Sequence, residues 1–167
     1  MNALMRLLSG LLFVSLLGCS GDPGTGPAEV KWDRDSCERC RMVLSDHFYS
    51  AQIRGGAEEQ KVKVYKFDDI GCAVLWLEQQ SWQSDPRTEI WVNDYQTGEW
   101  IDARKAYYVK GRITPMAYGL GAQLEQTEGA LNYVDAIAHI HLVEERFNAP
   151  EVLGQPPSDN DTHFPSH

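Results

Sequence analysis

The segment Cys37-Glu38-Arg39-Cys40-Arg41-Met42 sets two thiols three positions apart and a thioether two residues beyond the second. Thiols at this spacing can converge on one ion, act as a redox pair or close a disulfide. A disulfide here would close a short loop and stabilise little. No thioredoxin-like strand precedes the pair and no long helix clearly follows it, which weighs against the redox reading without removing it. The metal reading draws on the thioethers. After the first eighteen residues the methionines are Met42 and Met116, and neither falls in an obvious helical core stripe. Met42 flanks the dithiol, although a role as core filler stays open for it. Met116 follows Thr114-Pro115 and precedes Gly119 and Gly121, a turn-like setting. Thiolate and thioether donors select Cu(I) over harder ions, whereas zinc takes thiolate, imidazole and carboxylate. Cys37, Cys40, Met42 and Met116 are therefore the candidate ligands of a monovalent copper ion, with Cys40 and Met42 ranked first. A low-coordinate site of this kind can later give the ion up.

Other reactive residues carry less. Cys72 lies among apolar neighbours and reads first as a small hydrophobe of the core and second as a ligand. His47, five residues past Met42, reads as a solvated turn residue. His139 and His141 share one face of an expected strand, a spacing that alone is poor support for a metal site. His163 and His167 fall near the C-terminal end, where they can bind ions loosely. Nothing resembles a Ser-His-Asp triad, a phosphate-cradling glycine loop or a paired-carboxylate acid/base site, so the chain is not expected to be an enzyme.

The elements that must position these groups are legible in part. The clearest helix starts at Asp68 or Asp69, either of which can N-cap it. Ile70, Ala73, Val74 and Leu77 follow at helical spacing, with Cys72, Leu75 and Trp76 beside them. So much apolar circumference predicts burial. A strand over 62–67 leads into this helix and another, 89–93, follows the Asp85-Pro86 turn. In the second half, 106–110 reads as a strand, as does a stretch from Tyr118 to Leu124. A helix is expected from about Thr127 to Ala138, and the alternation from His139 to Val143 predicts a final strand. The order strand, strand, helix, strand, read twice, predicts an α+β fold of two similar ββαβ halves in one compact domain.

A hydrophobic share of 43% and a charged share of 23% over 167 residues suit one globular domain. The formal net charge is -9, and a surface this acidic repels phosphate backbones, so no nucleic-acid partner is expected. Arg6 followed by the apolar stretch Leu7 to Leu17 has the length of a signal-peptide core and is short of the roughly 20 residues of a spanning helix. It ends in Leu16-Leu17-Gly18-Cys19, which looks like a bacterial lipobox, where Cys19 is acylated and the chain is cut before it. Ser20 after the cysteine resembles sorting to the outer membrane. The expected organisation is a signal peptide over 1–18, the lipidated Cys19 with a flexible tether over 19–29, a folded domain over 30–148 and a disordered tail over 149–167. The tether expectation rests on its glycines, prolines and lack of an apolar face.

Taken together, Asp35-Ser36-Cys37-Glu38-Arg39-Cys40-Arg41-Met42, Ala51-Gln52, Lys66-Phe67-Asp68, Ile90-Trp91-Val92-Asn93-Asp94, Trp100 to Val109 and Pro115-Met116 resemble the NosL family. The likeness covers nearly all of the expected domain. It implies a periplasmic copper chaperone, lipid-anchored through Cys19 at the periplasmic face of the outer or inner membrane. Such a protein binds Cu(I) and delivers it for assembly of the copper centres of nitrous oxide reductase, with the reductase apoprotein or an ABC-type maturation complex as partner. It also implies two ββαβ-like halves related to the organomercurial lyase. Lyase-like chemistry would require a catalytic acid beside the thiols, and nothing in the sequence marks Asp33 or Asp35 as one. The main alternative is a periplasmic thiol-disulfide oxidoreductase using Cys37 and Cys40. This chain departs from the family where Arg41 stands in place of the usual glycine. If that position needs a positive φ, Arg41 is strained there, and its charge would favour ionised thiols nearby.

Overall fold

The alternating residues Ala51, Gln52, Ile53 and Arg54 form the centre of the larger sheet. The structure is a computed structural model that describes residues 22–149. Cys19, the expected signal segment and all but the first residue of the expected tail lie outside the described residues. Strands β1 (Ala51–Gly55), β2 (Lys63–Phe67), β3 (Glu89–Asn93) and β4 (Trp100–Asp102) form an antiparallel sheet in the order β2-β1-β3-β4. Ala51 pairs with Phe67 on one side and Val92 on the other. Helix α1 (Ile70–Leu77) packs on this sheet. Strands β5 (Tyr107–Lys110) and β6 (Leu120–Gln123) make a separate hairpin, and helix α2 (Tyr133–Asn148) follows.

Of the two expected caps, Asp68 and Asp69, the structure uses the second. Asp69 is the N-cap of α1, its carboxylate accepting from the Gly71 N–H at 3.0 Å. Every residue of α1 except Trp76 is buried. The strands expected over 62–67, 89–93 and 106–110 are β2, β3 and β5, and the stretch from Tyr118 to Leu124 contains β6.

Three expectations are corrected. First, residues 139–143 are not a final strand; they lie inside α2. Asn132 caps that helix by accepting from the Asp135 N–H at 3.0 Å, and the buried residues Ala136, Ile140 and Val143 recur at helical spacing. The helix expected from Thr127 therefore starts six residues later. Among the described residues the second half is ββα, with β4 joined to the first sheet, so a second full ββαβ unit is not seen there. The fold is mixed α/β with two helices.

Second, the segment expected as tether up to residue 29 is held on the sheet from Asp22 onward. Gln52 binds the Ala28 backbone at both its N–H and its carbonyl. Arg54 donates to the Gly26 carbonyl at 2.8 Å and to the Asp22 carboxylate at 2.8 and 3.0 Å. The folded domain thus begins before Val30. Third, β1 is a strand outside the expected elements. Its polar residues Gln52 and Arg54 look solvent-facing, yet both are buried and satisfied by this N-terminal strip.

The string from Ile101 to Val109 is a structural corner. Asp102 holds the turn by accepting from the Arg104 N–H. The fully buried Tyr108 donates its hydroxyl back to the Ala103 carbonyl at 2.7 Å.

Candidate metal centre

The cysteine loop is pinned at its base and strained at its tip. Ser36 and Val43 form a bridge, and the buried Leu44 donates to the Asp35 carbonyl at 2.9 Å. Inside that neck the Cys37 N–H donates to the Met42 carbonyl at 2.7 Å, and the Arg41 N–H donates to the Cys37 carbonyl at 3.0 Å. The loop is tied to β2 by the Glu38 N–H on the Lys66 carbonyl and by the Lys66–Asp35 ion pair at 2.5 Å. To close so tightly, Arg41 adopts a φ of +67°. The strain expected for a side chain at this position is present.

Arg41→Gly is expected to stabilise the fold by about 0.5–1 kcal/mol, the relief of the left-handed conformation outweighing the extra freedom of glycine in the unfolded chain. The exposed Arg41–Glu38 pair at 3.8 Å offers little to lose. The denaturant midpoint reads this directly, and a lower midpoint would show that the loop is not strained at Arg41.

The loop folds over the start of α1, and this brings Cys37 and Cys40 to Asp68 and Cys72. One donor atom from each of the four lies within 4.8 Å of all the others. Cys37, Asp68 and Cys72 are buried and Cys40 is half-buried. The Cys40 thiol donates to the Asp68 carboxylate at 3.3 Å. The Cys37 thiol is pushed down to about 6, first because the Cys72 thiol donates to it; backbone N–H groups of Cys40 and Asp68 assist against the opposing effect of burial. The other two move up. Cys40 is raised to about 12, mainly by burial. Cys72 is raised by the proton it shares with Cys37 and by burial. Cys37 is thus the thiol whose ionised form the group favours, and a bound cation would draw protons off the others.

A second layer of contacts comes from α2. The Arg39 guanidinium donates to Glu144 at 2.6 Å and to the Tyr118 hydroxyl at 3.0 Å. Tyr118 in turn donates to Glu144 at 2.7 Å. The side chain of Arg41, expected to favour ionised thiols, is 72% exposed.

Of the four ligands expected from sequence, Cys37 and Cys40 are brought together. Met42 is 51% exposed on the rim of the loop. Met116 is partly buried, and its N–H donates to Asp69, the neighbour of Asp68, at 3.3 Å. Cys72 was read as core, and it is; being buried, it also faces Cys37. Asp68 was read as an alternative helix cap. Since Asp69 takes that role, the Asp68 carboxylate is left for Cys40. Asp68, not Asp33 or Asp35, is the acid beside the thiols. His139 and His141 do not share a face: in α2 His139 bonds the Tyr118 carbonyl at 3.0 Å and His141 pairs with Glu78 at 2.9 Å. His47 stacks on Trp32.

Asp69 holds the Met116 turn to the helix. One oxygen caps Gly71, while the other accepts from the Thr114 hydroxyl at 2.5 Å and from the Met116 N–H. Its carboxyl is raised to about 6, chiefly by burial. Asp69→Ala is expected to cost about 2–3 kcal/mol, because it removes the cap and strands two donors. Thermal unfolding measures it; a loss no larger than a cap alone would mean that the Thr114 and Met116 contacts add nothing.

Fold and site define a mixed α/β domain carrying a compact cluster of metal-ligating thiols. The chain belongs to the NosL family, whose model, described as NosL, matches residues 28–136. Among solved structures, the copper chaperone NosL from Shewanella denitrificans is similar over 71% of this chain and 88% of that one, at 21% identity and a TM-score of 0.41. Comparison with the curated proteins found no match.

Proposed function

We propose that this protein is a Cu(I) chaperone, lipid-anchored through Cys19 on the periplasmic side of the outer membrane. It carries copper for assembly of the copper centres of nitrous oxide reductase, giving it to the apoprotein or to an ABC-type maturation complex. The observation that carries the reading is the convergence of Cys37 and Cys40 in one thiol cluster on a loop whose rim bears the exposed thioether of Met42. Cys37, Cys40, Met42 and Met116 form the ligand set. Thiolates supply affinity, and thioethers keep the site soft without added charge. Cys40 and Met42, on the accessible side, are where a partner's ligands enter as these leave. This is binding and delivery, not catalysis.

The test is anaerobic Cu(I) titration of the reduced protein against a chelator, with free thiols counted. One tightly bound Cu(I) that protects Cys37 and Cys40 from alkylation is expected. Unchanged affinity in Met42→Leu and Met116→Leu would remove the thioethers, and no binding at all would sink the chaperone reading. The cellular role is tested separately: a strain lacking the protein should make nitrous oxide reductase deficient in copper. Cys19→Ala should release the chain from the membrane fraction.

The oxidoreductase alternative is disfavoured by geometry. It needs an accessible, readily ionised thiol, but Cys37 is fully buried and Cys40 lies against a carboxylate. Lyase-like chemistry gains one feature, since Asp68 is an acid beside two thiols. Release of the free hydrocarbon from an organomercurial, with loss on Asp68→Ala, would establish it.

A further inference from the structure

The strip from Asp22 to Glu29 runs along β1, on the sheet face opposite α1. Trp76 of α1 packs on Tyr65 and Phe67, whereas the strip is held by residues that alternate with these or pair with their alternates. Near one end of the sheet the Lys66 ammonium donates to the Glu29 carbonyl at 2.6 Å, and Gln52, the partner of Lys66 in the ladder, holds Ala28. Near the other end Arg54 holds Gly26 and Asp22, while Glu89, paired with Arg54, accepts from the Thr25 hydroxyl and from the Gly26 N–H at 2.7 Å. The strip therefore begins at the Arg54 end of β1. The cysteine loop is at the opposite end, where Glu38 is bonded to Lys66 beside Phe67, the last residue of β2. The five residues of β2 set the two ends roughly 13 Å apart.

Cys19 lies three residues before Asp22, and three residues reach at most about 11 Å. A lipid on Cys19 thus keeps the Arg54 end close to the headgroups. The β1–β2 turn, residues 56–62, is at this end, and Trp82 against Gly55 brings the loop before β3 beside it. Charge suits this end to lipid. Glu58, Glu59 and Asp85 are balanced there by Lys61, Lys63 and Arg87, so the excess of the chain's net charge of -9 lies elsewhere. Anionic headgroups repel that acidic remainder and leave the neutral end to face them. We propose that the β1–β2 turn and the loop before β3 rest on the phospholipid surface, held there by the short anchor, and that the cysteine loop with its exposed Met42 is thereby presented away from the membrane. A partner then reaches the loop from the aqueous side. The inference rests on the anchor assigned to Cys19 and not on which metal the loop carries.

The experiment uses the acylated protein in vesicles of phosphatidylethanolamine and phosphatidylglycerol. A membrane-impermeant amine reagent is applied, and each lysine is quantified by mass spectrometry. Lys61 and Lys63, exposed at the anchored end, should lose most of the reactivity they have in the soluble Cys19→Ala protein, while Lys31, exposed at the cysteine-loop end, keeps its own. A flexible insert of about fifteen Gly/Ser residues between Gly21 and Asp22, reaching roughly 20 Å, should restore both lysines without releasing the protein from the vesicles. The insert leaves the core untouched, so folding is not at stake. Vesicle-bound protein with all three lysines open, or with Lys31 shielded, overturns the pose and leaves the anchor standing. Protection of Lys61 and Lys63 that survives the insert overturns it too, since the short reach is then not what holds the domain. A chain recovered without an acyl group on Cys19 removes the anchor reading, and the pose falls with it. Copper binding by the cysteine loop is untouched by any of these results.

Discussion

Cys37→Ala should weaken Cu(I) binding by at least about 100-fold, beyond the loss typical of a group that only orients a ligand, and by more than either methionine substitution. Burial is the reason. Cys37 is fully enclosed, receives the Cys72 thiol and two backbone N–H groups, and is the thiol whose ionisation the site favours, at about 6. A metal must strip fewest protons to use it. With Cys37 gone, Cys40 is still held protonated by burial and by the carboxylate of Asp68, which accepts its proton. Met42, by contrast, is half in solvent, and water can stand in for it. The expected order of damage is thus Cys37 first and Met42 last, the reverse of a ranking made from motif spacing. The fold should lose only about 1 kcal/mol from the missing sulfur, so stability and affinity separate. Competition titration of Cys37→Ala, Cys40→Ala and Met42→Leu decides it: equal losses for all three would mean that burial does not set the ranking.

The largest effect on stability is expected from Gly71→Ala. A Cβ at Gly71 would sit 2.3 Å from Cδ2 and Cγ of the Tyr118 ring, and that ring is nearly fully buried. Neither side can yield cheaply. Gly71 is in the first turn of α1, fixed by the Asp69 cap. The Tyr118 hydroxyl is locked between Arg39 and Glu144. The methyl must expel the ring, at a cost of about 3 kcal/mol, and with it loosen the Arg39 contact to the Tyr118 hydroxyl. Gly111→Ala is the comparison. Its φ is +78° but its Cβ meets nothing within 4 Å, so it should cost only about 1 kcal/mol. A double variant, Gly71→Ala with Tyr118→Leu, should be less unstable than the two single losses added together. Strict additivity would show that the collision is not what destabilises Gly71→Ala.

Local signals determined a good deal of this protein. The thiol pair with its thioether, the capped start of α1 and its apolar run, the strands β2, β3 and β5, and the family strings are all written in short stretches whose meaning depends on near neighbours. The possible strain at Arg41 was legible for the same reason, since a tight turn is a local object. What sequence periodicity could not show was anything settled by distant contacts. β1 carries Gln52 and Arg54, and only the strip from Asp22 to Ala28 makes their burial affordable. The alternation from His139 to Val143 fits a strand as well as a helix stripe; the Asn132 cap and the packing of Ile140 and Val143 choose the helix. At the site, Asp68 and Cys72 are 28 and 32 residues beyond Cys40 and look like a helix cap and a core residue. The tertiary structure alone made them neighbours of the dithiol, because the cysteine loop is pinned across β2 and directly over the first turn of α1, and ligand convergence depends on where elements pack, not on how each one forms.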